Sequence, residues 1–124
     1  MPDEQTDPNL DIVIDCADPQ SLAEFWAAAL GYRAAGSRGP YALLLPTNRA
    51  YPPVILQQVP EPKQGKARIH FDLRVDDVDA EVHRLEALGA RRIDVGQGDD
   101  VEWVPMADPE GNEFCVCPGA PLDV

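Results

Sequence analysis

Two short stretches hold most of the residues that could do chemistry. Ile69-His70-Phe71-Asp72-Leu73-Arg74-Val75 alternates apolar and polar residues, so a strand here sets His70, Asp72 and Arg74 on one face. His70 titrates near neutrality in its unperturbed state and could act as a general acid, a general base or a hydrogen-bond donor. The competing reading is a polar histidine on a wet sheet face. The second stretch, Glu113-Phe114-Cys115-Val116-Cys117, places two thiols on one strand face, about 7 Å apart from the rise per residue. This is not the C-x-x-C spacing of redox or zinc sites, so structural thiols are expected and redox catalysis is not. If 108–112 closes a tight hairpin, Trp103 falls on the same side as both cysteines. It would offer a flat apolar face to a ring or a cation, with a core or interface role as the alternative.

Other constellations are missing. No glycine-rich phosphate loop, G-x-S-x-G elbow or H-E-x-x-H helix occurs. The other histidine, His83, belongs to the charged side of a helical segment, and Ser21 reads as helix-start chemistry. The loop 46–53, with Arg49 and Tyr51, reads as a surface connection that could border a cleft.

The elements that must position these residues repeat. Leu10-Asp11-Ile12-Val13-Ile14-Asp15-Cys16 largely alternates like its counterpart 59 positions on, and each strand leads into an aspartate, Asp18 or Asp77. Aspartate caps a helix by accepting orphan N–H groups, and Pro19 suits the first helical position. Leu22, Phe25, Trp26 and Leu30 then recur at helical spacing, as do Val78, Val82, Leu85 and Leu88. Both helices stop at Leu-Gly, where a left-handed turn favours glycine. Strands are expected at 32–35, 41–45 and 54–59, with a turn at 36–40, and again at 91–95, 101–106 and 113–117, with turns at 96–100 and 108–112.

The expected fold is therefore α+β: one domain, 10–118, of two βαβββ modules (10–59 and 69–118). Residues 60–68 link them, and 1–9 and 119–124 are frayed. Ile12, Ile14 and Cys16, like Phe71, Leu73 and Val75, should face the helices, and Trp26 should be core. The other face carries Asp11, Val13 and Asp15, or His70, Asp72 and Arg74. Three aspartates make that face acidic and favour cationic or hydrogen-bond-donating ligands, unless they merely keep it wet.

Composition narrows the class. The chain has 124 residues, 10 Lys+Arg against 22 Asp+Glu, and a net charge of -12. Nucleic acid and anionic membranes are disfavoured, since phosphates would be repelled. No run of about 18 apolar residues could span a bilayer. The acidic start lacks the pattern of a signal peptide, and three cysteines cannot all pair in one chain, so a cytoplasmic protein is expected.

In this order the motifs resemble the vicinal oxygen chelate superfamily, which includes glyoxalase I, bleomycin resistance proteins and extradiol dioxygenases. The resemblance rests on the repeated strand–Asp–helix–Leu-Gly unit and on Asp108-Pro109-Glu110-Gly111-Asn112-Glu113-Phe114. The stretch from Gln57 through VPEPK to RIHFDL is similar to the glyoxalase-like subgroup. The resemblance implies sheets curled around a cleft, frequent dimers, and four metal-ligand positions in metal-dependent members. Those positions map to Asp11, Gln57, His70 and Cys115, with Gln57 and Cys115 58 apart, close to the 59 between Asp11 and His70. Glutamine is a poor ligand, and this mixture of hard and soft donors suits no common first-row ion well.

The preferred expectation is a homodimer that binds a small organic molecule without a metal or other cofactor, for sequestration or metabolite binding. Its contacts would be Asp11, Asp15, Gln57, His70, Asp72, Arg74, Trp103 and Cys115, with His70 the catalytic residue if there is catalysis. The alternative is a lyase or isomerase of the glyoxalase type, with zinc or nickel polarising a carbonyl and its neighbouring hydroxyl.

Overall fold

A computed structural model of the chain describes residues 9–94, 96 and 101–119. The contacts divide it into two units, Met1–Pro62 and Lys63–Val124. Each is a βαβββ module with its own four-stranded mixed sheet.

In the first unit the alternating stretch forms β1 (Ile12–Cys16), and Asp18 caps α1 (Pro19–Leu30) by accepting from Ser21 N at 3.2 Å. Gly31, at φ 71° and ψ 26°, ends the helix in the left-handed conformation. Then follow β2 (Arg33–Arg38), β3 (Tyr41–Leu45) and β4 (Val54–Gln58), in sheet order β1-β4-β3-β2, with β1 and β4 parallel. The turn expected at 36–40 is shorter than that. β2 runs on to Arg38 through a register shift between Ala34 and Ser37, and Gly36 at φ 109° takes the backbone conformation of that irregularity. Ile14 and Cys16 face the helix as expected, together with Leu44, Val54 and Leu56. Trp26 is core, 1% exposed, with its ring edge-on to Phe25 at 5.1 Å. Each such burial contributes roughly 1.5–3 kcal/mol.

The second unit repeats the plan. β5 (Phe71–Val75) leads to Asp77, which caps α2 (Val78–Leu88) by accepting from Ala80 N at 3.1 Å. β6 (Arg91–Arg92), β7 (Val104–Ala107) and β8 (Glu113–Pro118) complete the order β5-β8-β7-β6, with β5 and β8 parallel. The strand expected at 91–95 is shorter than that, since Ile93 and Asp94 lie beyond β6. Val95 and most of the turn at 96–100 fall outside the described residues, as do most of the expected frayed ends. Val82, Leu85, Met106, Phe114 and Val116 are 0% exposed and form this unit's core. Phe71, Leu73 and Val75, expected against the helix, are only half-buried; α2 lies against β8 and β6.

One aspartate organises the end of this unit. Asp108 is fully buried, and its carboxylate accepts from the N–H groups of Glu110 and Asn112 and from the Asn112 side chain, each at 2.9 Å. That closes the turn between β7 and β8 and sets the register that carries Cys115. No helix among the described residues is long and apolar enough to cross a membrane.

Candidate functional site

The open face of the second sheet borders a hollow of about 570 Å³. Strand alternation delivers the expected residues to it: His70, Asp72 and Arg74 from the β5 side, Cys115 and Cys117 from β8, and Trp103 and Pro105 from the β7 side. Asp72 pairs across the parallel ladder with Cys115, and Arg74 with Cys117. Asp72 Oδ1 stands 3.3 Å from His70 Nε2. Arg74 donates to the Pro118 carbonyl at 3.4 Å.

His70, Asp72 and Cys115 therefore converge. Each offers one ligating atom, and the three atoms all lie within 4.8 Å of one another. The Cys115 thiol is pushed up to about 11, first by burial and then by the charge of Asp72, with Lys66 acting in the opposite direction. The Cys117 thiol is also raised, again chiefly by burial, and it hydrogen-bonds Asp72. At neutral pH both are thiols, so an ion bound at Cys115 must displace a proton.

The other expected contacts belong to the first unit. Asp11 and Asp15 are exposed, and Gln57 is half-buried and pairs across the ladder with Asp15. The register also revises the correspondence between the modules. Asp15–Gln57 in the first is matched by Arg74–Cys117 in the second, so Gln57 is the counterpart of Cys117, and Cys115 that of Ile55. The spacing of 58 was not a structural equivalence.

Several lining residues escaped the sequence reading. Lys66 and Ala67, from the stretch taken as a linker, border the hollow. Glu113 ties this stretch down, pairing with Lys63 at 3.7 Å and accepting from the Ala67 N–H. The alternation Glu113, Cys115, Cys117 was a usable signal for Glu113. Nothing local marks Lys66.

The expectation of a site without a metal is corrected here. It rested on Asp11, Gln57, His70 and Cys115 as the donor set, with Asp72 only a charged wall. Within the second unit the structure groups His70, Asp72 and Cys115, one nitrogen, one oxygen and one sulfur donor. Zinc accepts all three donor types, whereas a hard ion is served well by the carboxylate and poorly by the thiolate.

A family model described as a glyoxalase-like domain matches residues 11–117. The chain belongs to this family. With it the protein joins the vicinal oxygen chelate superfamily. Among solved structures, this glyoxalase-like chain is similar to a glyoxalase/bleomycin resistance protein/dioxygenase family enzyme from Burkholderia phytofirmans PsJN. Identity is 16%, coverage is 87% of this chain and 95% of that one, and the TM-score is 0.64. It is also similar to a variant of the fosfomycin resistance protein FosX from Listeria monocytogenes, at 14% identity, 95% and 94% coverage and TM-score 0.71. That FosX structure holds Mn(II) and a dihydroxypropylphosphonic acid. FosX from Mesorhizobium loti matches at 13% identity, 94% and 96% coverage and TM-score 0.69. At these identities the likeness establishes the fold. No curated protein sequence matches the chain.

Proposed function

We infer that this glyoxalase-like protein binds a small organic molecule in the hollow of its second unit, beside a divalent ion held by His70, Asp72 and Cys115. The observation that carries this reading is the grouping of those three ligating atoms within 4.8 Å on the wall of a ligand-sized hollow. FosX, solved with a metal and a small oxygen-rich ligand together, supports the pairing of the two. The donor set favours zinc over manganese. When bound, such an ion supplies Lewis acidity to a carbonyl or hydroxyl oxygen of the ligand. Trp103 gives the ligand a flat apolar wall, and Lys66 and Arg74 offset the carboxylates around it.

Elemental analysis of protein purified without added metal, followed by thermal shift with zinc, tests this. Near-stoichiometric zinc, or a clear rise in Tm that Asp72→Asn removes, is the expected result. A protein that ignores zinc at micromolar concentration would reject the reading.

Three protein donors leave coordination positions open, as catalytic zinc sites do, and this favours a second reading as a lyase or isomerase of the glyoxalase type. NMR of α-hydroxycarbonyl compounds incubated with the zinc-loaded protein separates the two. Conversion assigns an enzyme, and recovery of bound but unchanged compound assigns a binder. A homodimer belongs to the same proposal and is read by light scattering.

A further inference from the structure

The first unit has a hollow of its own, of about 560 Å³, bordered by the end of β3 and by the loop 46–53. Its wall holds two of the ten basic residues of a chain with net charge -12. Arg33 comes from β2, where it pairs with Leu45, and Arg49 comes from the loop. Neither forms an ion pair among the described residues.

The loop that carries Arg49 is held in shape. Tyr32 Oη donates to the Pro52 carbonyl at 2.9 Å, Ala50 N to Asn48 Oδ1 at 2.9 Å, and Ile12 N to the Pro53 carbonyl at 3.0 Å. Three prolines, Pro46, Pro52 and Pro53, stiffen it further. Leu45 and the prolines give the hollow an apolar side.

Two guanidinium forks that form no ion pair among the described residues, beside an apolar wall, suit an anion with an apolar body. We propose that the first unit carries a second binding site, for a small organic carboxylate held by Arg33 and Arg49. Asp11 lines the same hollow, and with the overall negative charge it opposes a dianion. That selects a singly charged carboxylate over a phosphate or phosphonate. The site does not depend on the metal-centred reading of the second unit.

The test is an amide NMR titration of the full chain with phenylacetate, phenylphosphonate, inorganic phosphate and benzyl alcohol. Saturable shifts confined to Arg33 and the loop amides, with phenylacetate binding tightest and benzyl alcohol inert, are expected. The double variant R33Q/R49Q, both exposed positions, should keep the native spectrum and weaken phenylacetate by at least about tenfold, the scale of a lost charged hydrogen bond. R33K/R49K should recover part of that loss. Four results overturn the proposal: no saturation, equal binding of benzyl alcohol, tighter binding of phosphate or phosphonate, or an unaffected double variant. Shifts on the amides around His70 and Cys115 in place of the loop overturn it as well.

Discussion

Asp72 and Cys115 are direct neighbours across the parallel ladder of β5 and β8. His70 stands two residues before Asp72 and meets its carboxylate at 3.3 Å. An imidazole, a carboxylate and a thiol thus share one corner of the second sheet, and each changes what the others can do.

Removing one member of the corner should unmake the proposed metal site. Cys115→Ala and Asp72→Asn are each expected to weaken zinc by more than the roughly 10–100-fold typical of losing an outer-shell partner. Competition against a chromogenic chelator measures this. Equal affinities for parent and both variants would place zinc elsewhere.

The buried thiol makes stability depend on alkaline pH. Cys115 has a folded value of about 11 against 9.0, so the folded state favours the protonated form. The corresponding stabilisation, on the order of 2 kcal/mol, is complete below about pH 9 and is lost as pH rises towards 11. Urea melts across that window should show the parent losing stability faster than Cys115→Ala. Parallel curves would mean that Cys115 ionises as freely in the fold as out of it.

Asp108 should be the costly residue of the β7–β8 turn. Asp108→Ala leaves the Glu110 and Asn112 N–H groups and the Asn112 amide without their carboxylate, at about 2–4 kcal/mol. Asp108→Asn keeps an acceptor and should cost less. Chemical denaturation of the pair checks the order, and equal losses would assign the turn's stability to the charge instead of to the acceptors.

The two helix-ending glycines are not equivalent. Gly31 is left-handed with open space where a Cβ would stand, so Gly31→Ala should cost about 1–2 kcal/mol. Gly89 is at φ 120°, and a Cβ there would meet Pro109 Cγ at 3.3 Å. Gly89→Ala should therefore lower Tm further than Gly31→Ala does. Equal Tm losses would show that the Pro109 contact relaxes without cost.

Much of the fold is legible locally. The Asp18 and Asp77 caps, the Gly31 and Gly89 stops and the alternation in β1, β5 and β8 each express a preference within a few residues. That is why both helices, the faces of His70, Asp72, Arg74, Cys115 and Cys117, and the core role of Trp26 could be read from sequence. The turn at 36–40 was read too long because Gly36 marks a bulge, and a glycine's freedom serves either structure.

The amino-acid order alone determined two βαβββ modules and which side chains share a strand face, because caps, glycine stops and a period of two are short-range. Only the tertiary structure decided that Cys115 stands opposite Asp72, that Gln57 answers to Cys117, and that Lys66 lines the hollow. Parallel register joins strands 43 residues apart, as between Asp72 and Cys115, and no local preference encodes it. The grouping of His70, Asp72 and Cys115 depends on that register, so it became visible only when β8 was laid against β5.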